Sequence, residues 1–394
     1  MRFETNALAR EQQLRQLMDF GAPVSRLLRI DRPRPLWDDG APIRAELFSV
    51  ERLEEHARSL AAAQTVTPRE IRGASLSIRL ADDEAVLLAA YRDVADDIAE
   101  GAAITPAAEW LIDNFHMVEK QIREVRGDLP PGYYRQLPKL AGGPLAGYPR
   151  VFGVAWGFVA HTDSLFDPEV LRRYVRAYQE VQPLTIGELW AIPITLRIVL
   201  VENLRRLARR IVESRAGRRA ADDLADRILG AGDRTPEPPG AVLEELARSS
   251  FPDSFLMQLV HRLRDQDPGI APALEWLDKQ LASQGTTADA VIRDEHQRQV
   301  AGSVTVRNII TSMRLISDLD WTELFERLSL VDEVFLSGSA FRAMDFATRN
   351  LYRDATEQLA RGSGLTELQV AQAAVAAAAR AAQTPPAADE ARQR

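Results

Sequence analysis

The chain of 394 residues contains no cysteine, which excludes disulfide bonds, thiolate metal sites and a cysteine nucleophile. The local signatures of the common enzymes are also absent, including a phosphate-binding loop, a dinucleotide-binding glycine motif, a zinc-protease motif and a serine elbow. No apolar signal-peptide segment is present, and no stretch reaches the about 20 apolar residues that a membrane span needs. The sequence therefore indicates a cytosolic segment, and its net charge of −8 argues against a nucleic-acid partner.

Helix signals recur along the whole chain, whereas the only strand-like stretch is LSIRL at 76–80, which we expect to be a loop before a helix over 82–100. Apolar residues make up 46% and charged residues 27% of the chain, as in an ordinary folded globular protein. There is no internal repeat of fixed period. The sequence therefore predicts an all-α fold, a multi-helix bundle with no significant sheet.

One stretch, PLTIGELWAIPITLRIVLVENLRRLARR, predicts the helix at the centre of this bundle. Thr185 and Glu188 form a capping box, in which each side chain accepts a hydrogen bond from the backbone at the start of a helix. The following residues 189–201 are apolar at nearly every position, which is typical of a helix that is buried on all sides. We therefore expect a long, buried central helix over about 185–229.

Two residues of the predicted central helix need an explanation. Pro193 has no N–H group to donate to the carbonyl four residues earlier, so we expect a kink near 189–192. Arg197 lies in the most apolar part, where an unpaired buried charge is prohibitively costly. A ligand carboxylate or phosphate could neutralise it, but an internal ion pair is the preferred hypothesis. The candidate partners for this ion pair are Glu109, Asp113 and Glu188.

Proline, glycine and polar residues concentrate at places that suggest a division of the chain. The clearest linker candidate is GAGDRTPEPPG. The predicted parts are an extended N-terminal arm at 1–47, an N-terminal helical half at 48–229, a linker at 230–240, a C-terminal helical half at 241–384 and a disordered tail at 385–394. Helices of the C-terminal half are predicted near 241–249, 252–265, 269–283, 287–316, 320–336, 345–362 and 365–383.

A predicted helix that starts at Pro106 and ends before Asp128 carries a row of polar residues. Glu109, Asp113 and His116 lie at positions i, i+4 and i+7, so the three side chains share one face of a continuous helix. Such a row could ligate a metal ion or take part in acid–base chemistry. The preferred interpretation is structural, with Glu109 or Asp113 paired to an arginine. We expect no catalytic residue, metal site or cofactor in this chain.

Aromatic residues and a guanidinium group cluster in the segment 133–150, which is rich in glycine and proline. The members of this cluster are Tyr133, Tyr134, Arg135 and Tyr148. Such side chains suit stacking on a sugar ring, and they are also enriched at protein interfaces. A packed loop without a ligand is the simplest interpretation. The segment is our candidate for binding a carbohydrate or a nucleotide sugar.

Several long stretches together resemble one family, the cyclic β-1,2-glucan synthases of the NdvB/ChvB type. The stretches are AAEWLIDNFHMVEKQIREVRGDLPPGYYRQLPKL at 107–140, GPLAGYPRVFGVAWGFVAHTDS at 143–164, VQPLTIGELWAIPITLRIVLVENLRRLA at 181–208, VTVRNIITSMRLISDLDWTELFERLSLVDEV at 304–334 and MDFATRNLYRDATEQLARGSGLTELQVA at 344–371. The resemblance covers about residues 45–372. Rows of this length are much more specific than a short motif.

The resemblance implies a very large enzyme of the bacterial inner membrane that polymerises glucose from UDP-glucose into β-1,2-linked chains and cyclises them. In this family a phosphorylase-like region trims the chains. The resemblance also implies that the glycosyltransferase region of the family binds a divalent metal ion. This sequence resembles the cytosolic N-terminal region that precedes the membrane spans. The Asp-rich metal motif and the Gln-x-x-Arg-Trp motif of the glycosyltransferase do not occur in it, so no catalytic residue can be carried over.

Two main hypotheses follow from these observations. The first is a non-catalytic N-terminal helical domain of a cyclic β-1,2-glucan synthase, with a scaffold, assembly or regulatory role at the cytoplasmic face of the inner membrane. Its expected partners are the membrane, glycosyltransferase and phosphorylase-like parts of the synthase, with β-1,2-glucan as a further candidate. The alternative is a carbohydrate or nucleotide-sugar binding module that uses the segment 133–150. An independent enzyme that uses the row of Glu109, Asp113 and His116 is a less favoured third hypothesis.

Overall fold

Helices provide nearly all of the regular structure in the computed structural model, which describes residues 40–67, 75–230, 237, 252–264, 271–283 and 285–383. Over these ranges the predicted all-α fold is confirmed. The helices are α1 (Val50–Ala63), α2 (Leu76–Ala99), α3 (Pro106–Asp113), α4 (Phe115–Asp128), α5 (Pro131–Gln136), α6 (Arg150–His161), α7 (Pro168–Gln179), α8 (Ile186–Leu229), α9 (Asp253–Leu263), α10 (Ala271–Ser283), α11 (Ala288–Asp318), α12 (Trp321–Leu328), α13 (Leu330–Gly338), α14 (Phe346–Ser363) and α15 (Glu367–Gln383). A 3₁₀ turn, Ala340–Ala343, precedes α14.

The described sheet consists of two strands of two residues each. Strand β1 (Val66–Thr67) runs antiparallel to β2 (Lys139–Leu140), with Val66 opposite Leu140. A pair this short contributes little stability by itself, because an isolated two-stranded sheet is marginal in water. It serves to fix the segment after α1 against the segment before α6.

The predicted central helix is α8, which is continuous over 44 residues. Both halves of the capping box at its start are present, since Thr185 accepts from the Glu188 backbone and Glu188 accepts from the Thr185 backbone. Gly230 ends the helix in the left-handed conformation, with φ of 66°, which glycine adopts without a steric penalty. The helix continues through Pro193, and the kink expected beside this residue stays a prediction.

Helix α8 is buried because other helices surround its first half. Along its whole length, helices α2, α6 and α9 make its most extensive contacts, α9 at its last third, and α4 and α11 pack on it as well. From Ile186 to Ala208 the side chains are buried at every position except Gly187, Trp190 and Arg205, which are half-buried. The all-round apolar character of the sequence between 189 and 201 is therefore explained by contacts on every face of the helix.

A buried group of charges joins α2 to α8. The Glu202 carboxylate, fully buried, accepts from the guanidinium groups of Arg79 at 2.6 Å, Arg206 at 2.7 Å and Arg205 at 2.8 Å. Burial opposes ionisation of Glu202, but Arg79 and Arg205 outweigh it and lower its pKa to about 2. The neighbouring Asp83 has its pKa raised to about 8 by burial and by the charge of Glu202.

The described part of the predicted N-terminal arm is bound to the helical body through its backbone. Asn203 of α8 accepts from the Ile43 N–H group at 2.6 Å and donates to the Ile43 carbonyl at 3.2 Å. The Ala45 N–H group donates to the carbonyl of Ala160 at the end of α6, at 2.9 Å. These bonds hold the extended chain before α1 against two helices. The rest of the predicted arm lies outside the described residues.

The expectation of a loop at 76–80 is wrong, because these residues form the first turns of α2. Ser75 caps the helix by accepting from the Ile78 backbone at 3.4 Å. Leu76 and Leu80, four residues apart, are both buried, as expected for one face of a helix. The β-branched residue at 78 favoured an extended interpretation, but its side chain is exposed and leaves the helix undisturbed.

Two helices that the sequence predicts as continuous are each divided in the structure. The first ends at Asn114, where the side chain donates to the Trp110 carbonyl at 2.9 Å and the chain turns from α3 into α4. The second ends at Ser329, whose hydroxyl accepts from the Asp332 backbone at 3.1 Å and so caps a new helix, α13. Short polar side chains that bond to the nearby backbone explain both breaks.

The last third of α8 packs in a hydrophobic cluster with α9, α10 and the first turn of α11. Its buried members are Ala221, Leu224, Ala225, Ile228, Phe255, Leu256, Leu259, Val260, Leu263, Ala273, Leu277, Leu281 and Val291. The described residues all belong to one compact unit of the chain, Gly40–Arg394. The predicted helix at 241–249, the tail at 385–394 and most of the linker at 230–240 lie outside the described residues, and the division into two halves stays a prediction.

Candidate functional site

A cleft of about 620 Å³ lies where the N-terminal end of α8 meets α5, α12 and α14. This volume is within the range of small-molecule sites in proteins. Its aromatic and apolar lining consists of Tyr133, Ile186, Gly187, Trp190, Pro193, Ile194 and Trp321. Its polar and charged lining consists of Asp128, Gln136, Arg197, Asn350, Arg353, Asp354 and Glu357. An aromatic wall with a few convergent polar groups makes this cleft the candidate functional site.

The aromatic wall is held by ring contacts between α8 and the C-terminal helices. The Trp190 indole stacks on Phe325 of α12, with ring centroids 4.2 Å apart and an angle of 12° between the planes. The ring of Phe346 stands edge-on to Trp190 at 6.2 Å. These contacts fix the orientation of an indole that remains half-buried and lines the cleft.

Tyr133 and Trp321 are fixed by hydrogen bonds to the backbone. The Tyr133 hydroxyl donates to the Gly187 carbonyl at 2.5 Å, and burial, aided by Glu357, raises the pKa of this phenol. The indole N–H of Trp321 donates to the Ile316 carbonyl at 2.8 Å. Because their polar atoms are engaged, both residues present mainly ring surface to the cleft.

Arg353 forms the floor of the cleft on the α14 side, and only 1% of its surface is exposed. Its guanidinium donates to Asp332 and Glu326, each at 3.0 Å, and to the Asn350 side chain at 2.6 Å. Burial acts to lower the pKa of Arg353, but the carboxylates of Asp332 and Glu326 outweigh it, so the pKa is raised. The aromatic rings of α12 and α14 also surround the cation, with the Phe325 centroid at 4.9 Å.

Arg197 is buried, but its ion-pair partners differ from those expected. Its guanidinium donates to Gln121 at 3.0 Å and lies 3.4 Å from the Glu124 carboxylate and 3.8 Å from that of Asp128. All three partners belong to one face of α4, which packs on α8. Burial lowers the pKa of Arg197, and the two carboxylates act in the opposite direction. The proposed partners are therefore corrected to Glu124 and Asp128.

The three residues proposed as partners of Arg197 lie elsewhere. Glu188 is fully buried and accepts from Arg150 at 2.8 Å, so it forms an ion pair between α6 and α8. Glu109 and Asp113 are exposed on α3, which ends at the turn described above. His116, also exposed, belongs to α4, so the row of three residues is not on one helix. The sequence pattern missed this because it assumed a straight helix through residue 114.

The backbone at the N-terminal end of α8 is engaged by a second carboxylate besides that of Glu188. Glu367, at the start of α15, accepts from the Ile186 N–H group at 2.7 Å. Burial raises the pKa of Glu367 to about 7, and the nearby charges of Glu357 and Glu188 add to this effect. The contact connects the last described helix to the edge of the cleft.

Of the four residues proposed for binding, the structure places only Tyr133 in the cleft. The Tyr134 ring lies 3.9 Å from the Lys139 ammonium group, and Arg135 is exposed on α5. Tyr148 is 96% buried and packs on Phe152 with ring centroids 5.5 Å apart. These three side chains are therefore dispersed between a surface helix and the core, although they are close in sequence.

Apart from Arg197, which the sequence had singled out as a buried charge, the other cleft residues were missed because they come from distant parts of the chain. Trp190, Trp321 and Arg353 lie on three helices whose packing cannot be read from the sequence. One signal was available, since each is a bulky or charged residue within the stretches that resemble the synthase family. No pattern of spacing connects them, so the cleft emerges only from the fold.

The described part of the chain has neither a helix suited to span a membrane nor a group of side chains suited to hold a metal ion. None of its helices is both long enough and apolar enough to cross a membrane. None of its clusters of histidine, aspartate and glutamate has three members placed to hold a metal ion.

The fold and the cleft define an all-helical domain with an aromatic pocket at one end of its central helix. No family model matches the chain. Cyclic β-(1,2)-glucan synthase NdvB of Rhizobium meliloti (strain 1021) is 40% identical to it over 333 residues, which is 84% of this chain. The predicted resemblance to cyclic β-1,2-glucan synthases is thereby confirmed. The matched region is 12% of the relative, so this chain spans only a small part of that protein's length.

Proposed function

We propose that this chain is a helical part of a cyclic β-1,2-glucan synthase and has a scaffold, assembly or regulatory role instead of a catalytic one. The observation that carries the proposal is the 40% identity to NdvB over 84% of this chain. Because the match takes up 12% of the relative, most of that protein is left for its chemistry. The expected place of the domain is the cytoplasmic face of the bacterial inner membrane, against the remaining parts of the synthase.

The way in which buried charges are used supports a structural role. Glu188 is paired with Arg150, and Asp332 is paired with Arg353, each between two helices. A carboxylate that is buried and paired in this way fixes the packing of helices, and its oxygen atoms are engaged by the partner guanidinium and are not free to act on a substrate.

The proposal is tested in a full-length synthase that contains this segment. We expect deletion of residues 40–383 to lower the amount of assembled enzyme in membranes. The double variant Asp113→Asn/His116→Ala should leave UDP-glucose incorporation per enzyme molecule unchanged. Normal abundance of the truncated synthase would contradict a scaffold or assembly role. Lost incorporation in the double variant at normal abundance would contradict a non-catalytic role.

A second candidate function, binding of a carbohydrate or a nucleotide sugar, is favoured by one specific observation. Tyr133, which the sequence had singled out for binding, lines the cleft together with Trp190 and Trp321. Aromatic residues with fixed rings are common in sites for small ligands. Calorimetric titration of the purified chain with a glucose disaccharide and with UDP-glucose tests this candidate, and absence of heat at millimolar concentrations of both contradicts it.

A further inference from the structure

The charges around the cleft distinguish between the two ligand classes of the second candidate function. A carbohydrate and a nucleotide sugar share a sugar ring, but only the nucleotide sugar brings two phosphate groups. Proteins bind such phosphates with cationic side chains or with the N-terminal end of a helix. Whether those devices are available here decides which ligand class the cleft suits.

The two guanidinium groups in the cleft are already paired with carboxylates of the protein. Arg353 lies 3.0 Å from Glu326 and contacts the buried Asp332. Arg197 lies between Glu124 and Asp128. Each guanidinium therefore faces two carboxylates, and a phosphate would have to displace one of them to bind.

The backbone N–H groups at the N-terminal end of α8, which lies in the cleft, are also engaged by side chains of the protein. The Ile186 N–H group donates to Glu367, and the backbone of Glu188 donates to the Thr185 hydroxyl at 3.2 Å. Two further carboxylates, those of Asp354 and Glu357, line the opposite side of the cleft. Glu357 is itself paired with Arg361. A diphosphate at this position would meet the negative charge of Asp354 on α14 and, above about pH 7, that of Glu367 on α15, which is unfavourable.

The remaining features of the cleft suit an uncharged sugar. The apolar face of a pyranose ring can pack on an aromatic ring, and the contact with Phe325 holds Trp190 in a fixed orientation beside the cleft. The amides of Gln136 and Asn350 and the carboxylate of Asp354 supply donors and acceptors for hydroxyl groups. Carboxylates that repel phosphate accept hydrogen bonds from hydroxyl groups.

We propose that this cleft binds an uncharged pyranose sugar against Trp190 and Trp321 and discriminates against a nucleotide sugar. The proposal rests on the second candidate function and names the ligand class of that same site. The proposed site differs from the predicted one, which was the whole segment 133–150. Of that segment, Tyr133 and Gln136 line the cleft.

The first test is calorimetric titration of the full 394-residue chain with two probes, a β-1,2-linked glucose disaccharide and UDP-glucose. We expect saturable heat with the disaccharide and an affinity for UDP-glucose that is weaker by about tenfold or more. Tighter binding of UDP-glucose would overturn the neutral-sugar proposal and leave the binding function intact. If neither probe gives heat, the neutral-sugar proposal and the binding function are both overturned.

The second test locates the site with matched variants. Trp190→Ala should weaken disaccharide binding by about tenfold or more, because it removes an anchoring ring. Trp110→Ala, which truncates a half-buried indole on α3 outside the cleft, serves as the control and should bind normally. If Trp190→Ala does not fold by circular dichroism, Gln136→Ala at an exposed position of the cleft replaces it, with weaker binding expected. Unchanged affinity in the folded cleft variant would overturn the proposal.

Discussion

The two arginines of the cleft, Arg353 and Arg197, have partner carboxylates that differ in their exposure to water. Asp332, a partner of Arg353, has 1% of its side chain exposed, whereas the partners of Arg197 have 30% (Glu124) and 54% (Asp128) exposed. A carboxylate that reaches water can be solvated when its partner is removed, but a buried one cannot. Similar burial of the two arginines therefore leads to different expectations for the two substitutions.

We predict that Arg353→Met destabilises the fold by roughly 3–5 kcal/mol, because Asp332 is left buried without its guanidinium. Urea unfolding followed by circular dichroism measures this. The double variant Arg353→Met/Asp332→Asn should recover part of the loss, since the uncompensated charge is then removed. A double variant that is no more stable than Arg353→Met would show that the loss does not arise from the unpaired carboxylate.

We predict a smaller effect for Arg197→Leu, a loss of roughly 1–3 kcal/mol. The buried Gln121 loses the N–H group that its side-chain oxygen accepts from, while Glu124 and Asp128 become solvated. The same unfolding measurement applies. A melting temperature close to that of the wild type would contradict the structural role assigned to Arg197.

The sequence predicted the burial of Arg197 but not its partners, for a physical reason. The apolar residues around Arg197 in the sequence indicate that its charge lies in the protein interior and needs a partner of opposite charge. Which carboxylates are near depends on the rotation and register of α4 against α8, and neither is encoded in local spacing. The same limit applies to Trp190 and Trp321, whose convergence requires the packing of α12 on α8.

At the scale of elements, two glycines in helices predict opposite effects of the same substitution. A Cβ atom at Gly157 of α6 would lie 2.7 Å from the hydroxyl of Tyr174, which is fully buried on α7. We predict that Gly157→Ala destabilises the fold by roughly 1–3 kcal/mol despite its better helix propensity. Thermal unfolding measures the effect.

The control for this prediction is Gly127→Ala in α4, where a Cβ atom would have no heavy atom within 4 Å. At this position the substitution changes only the helix propensity, so we expect the free energy of unfolding to rise by up to about 1 kcal/mol. Destabilisation of similar size in both variants would show that the close approach of α6 and α7 is not the cause.

The contact between α15 and the start of α8 predicts a dependence on pH. The folded pKa of Glu367, about 7, lies above the ordinary value of 4.5, so the protonated form is favoured in the folded state. The stabilisation of the folded state that protonated Glu367 provides is therefore fully present below about pH 4.5. It is lost as the pH rises through about 7. Glu367→Gln keeps an acceptor for the Ile186 N–H group without the charge.

We thus expect Glu367→Gln to have nearly wild-type stability at pH 5 and to be more stable than the wild type at pH 8, by on the order of 1–3 kcal/mol. Urea unfolding at the two pH values measures the difference. Glu119→Gln, at an exposed position of α4, is the control and should show no such dependence. An equal effect of Glu367→Gln at both pH values would contradict the prediction.

Element starts were more predictable than element breaks. Thr105 with Pro106, and Thr185 with Glu188, mark helix starts because capping depends on residues within one turn. The breaks at Asn114 and Ser329 depend on which of two bonds a short polar side chain makes. Many such side chains occur in helices without ending them, so the sequence alone does not decide.

At the scale of the whole molecule, the later helices complete the surroundings of α8. Ser317 of α11 accepts from the Gln121 side chain at 2.8 Å, and Phe325 of α12 covers Trp190. The end of α8 is buried against α9 and α10. A fragment of residues 40–230 would expose all three regions.

We therefore predict that the fragment 40–230 melts at least roughly 10 °C below the full chain or shows no cooperative transition. Differential scanning calorimetry of both proteins measures this. If the two predicted halves were independent domains, the fragment would instead keep a sharp transition of its own. The experiment thus decides a division that composition suggested through its proline-rich stretch at 230–240.

Helix α8 has a mechanical consequence that follows from its length. At 1.5 Å per residue, its 44 residues form a rod of about 66 Å. The cleft lies at one end, by residues 186–197, and the cluster around Leu224 and Ile228 lies at the other. A tilt of one degree about the cleft end moves the far end by roughly 1 Å. A rigid tilt of α8 at the cleft would thus be observed as a displacement at the far cluster.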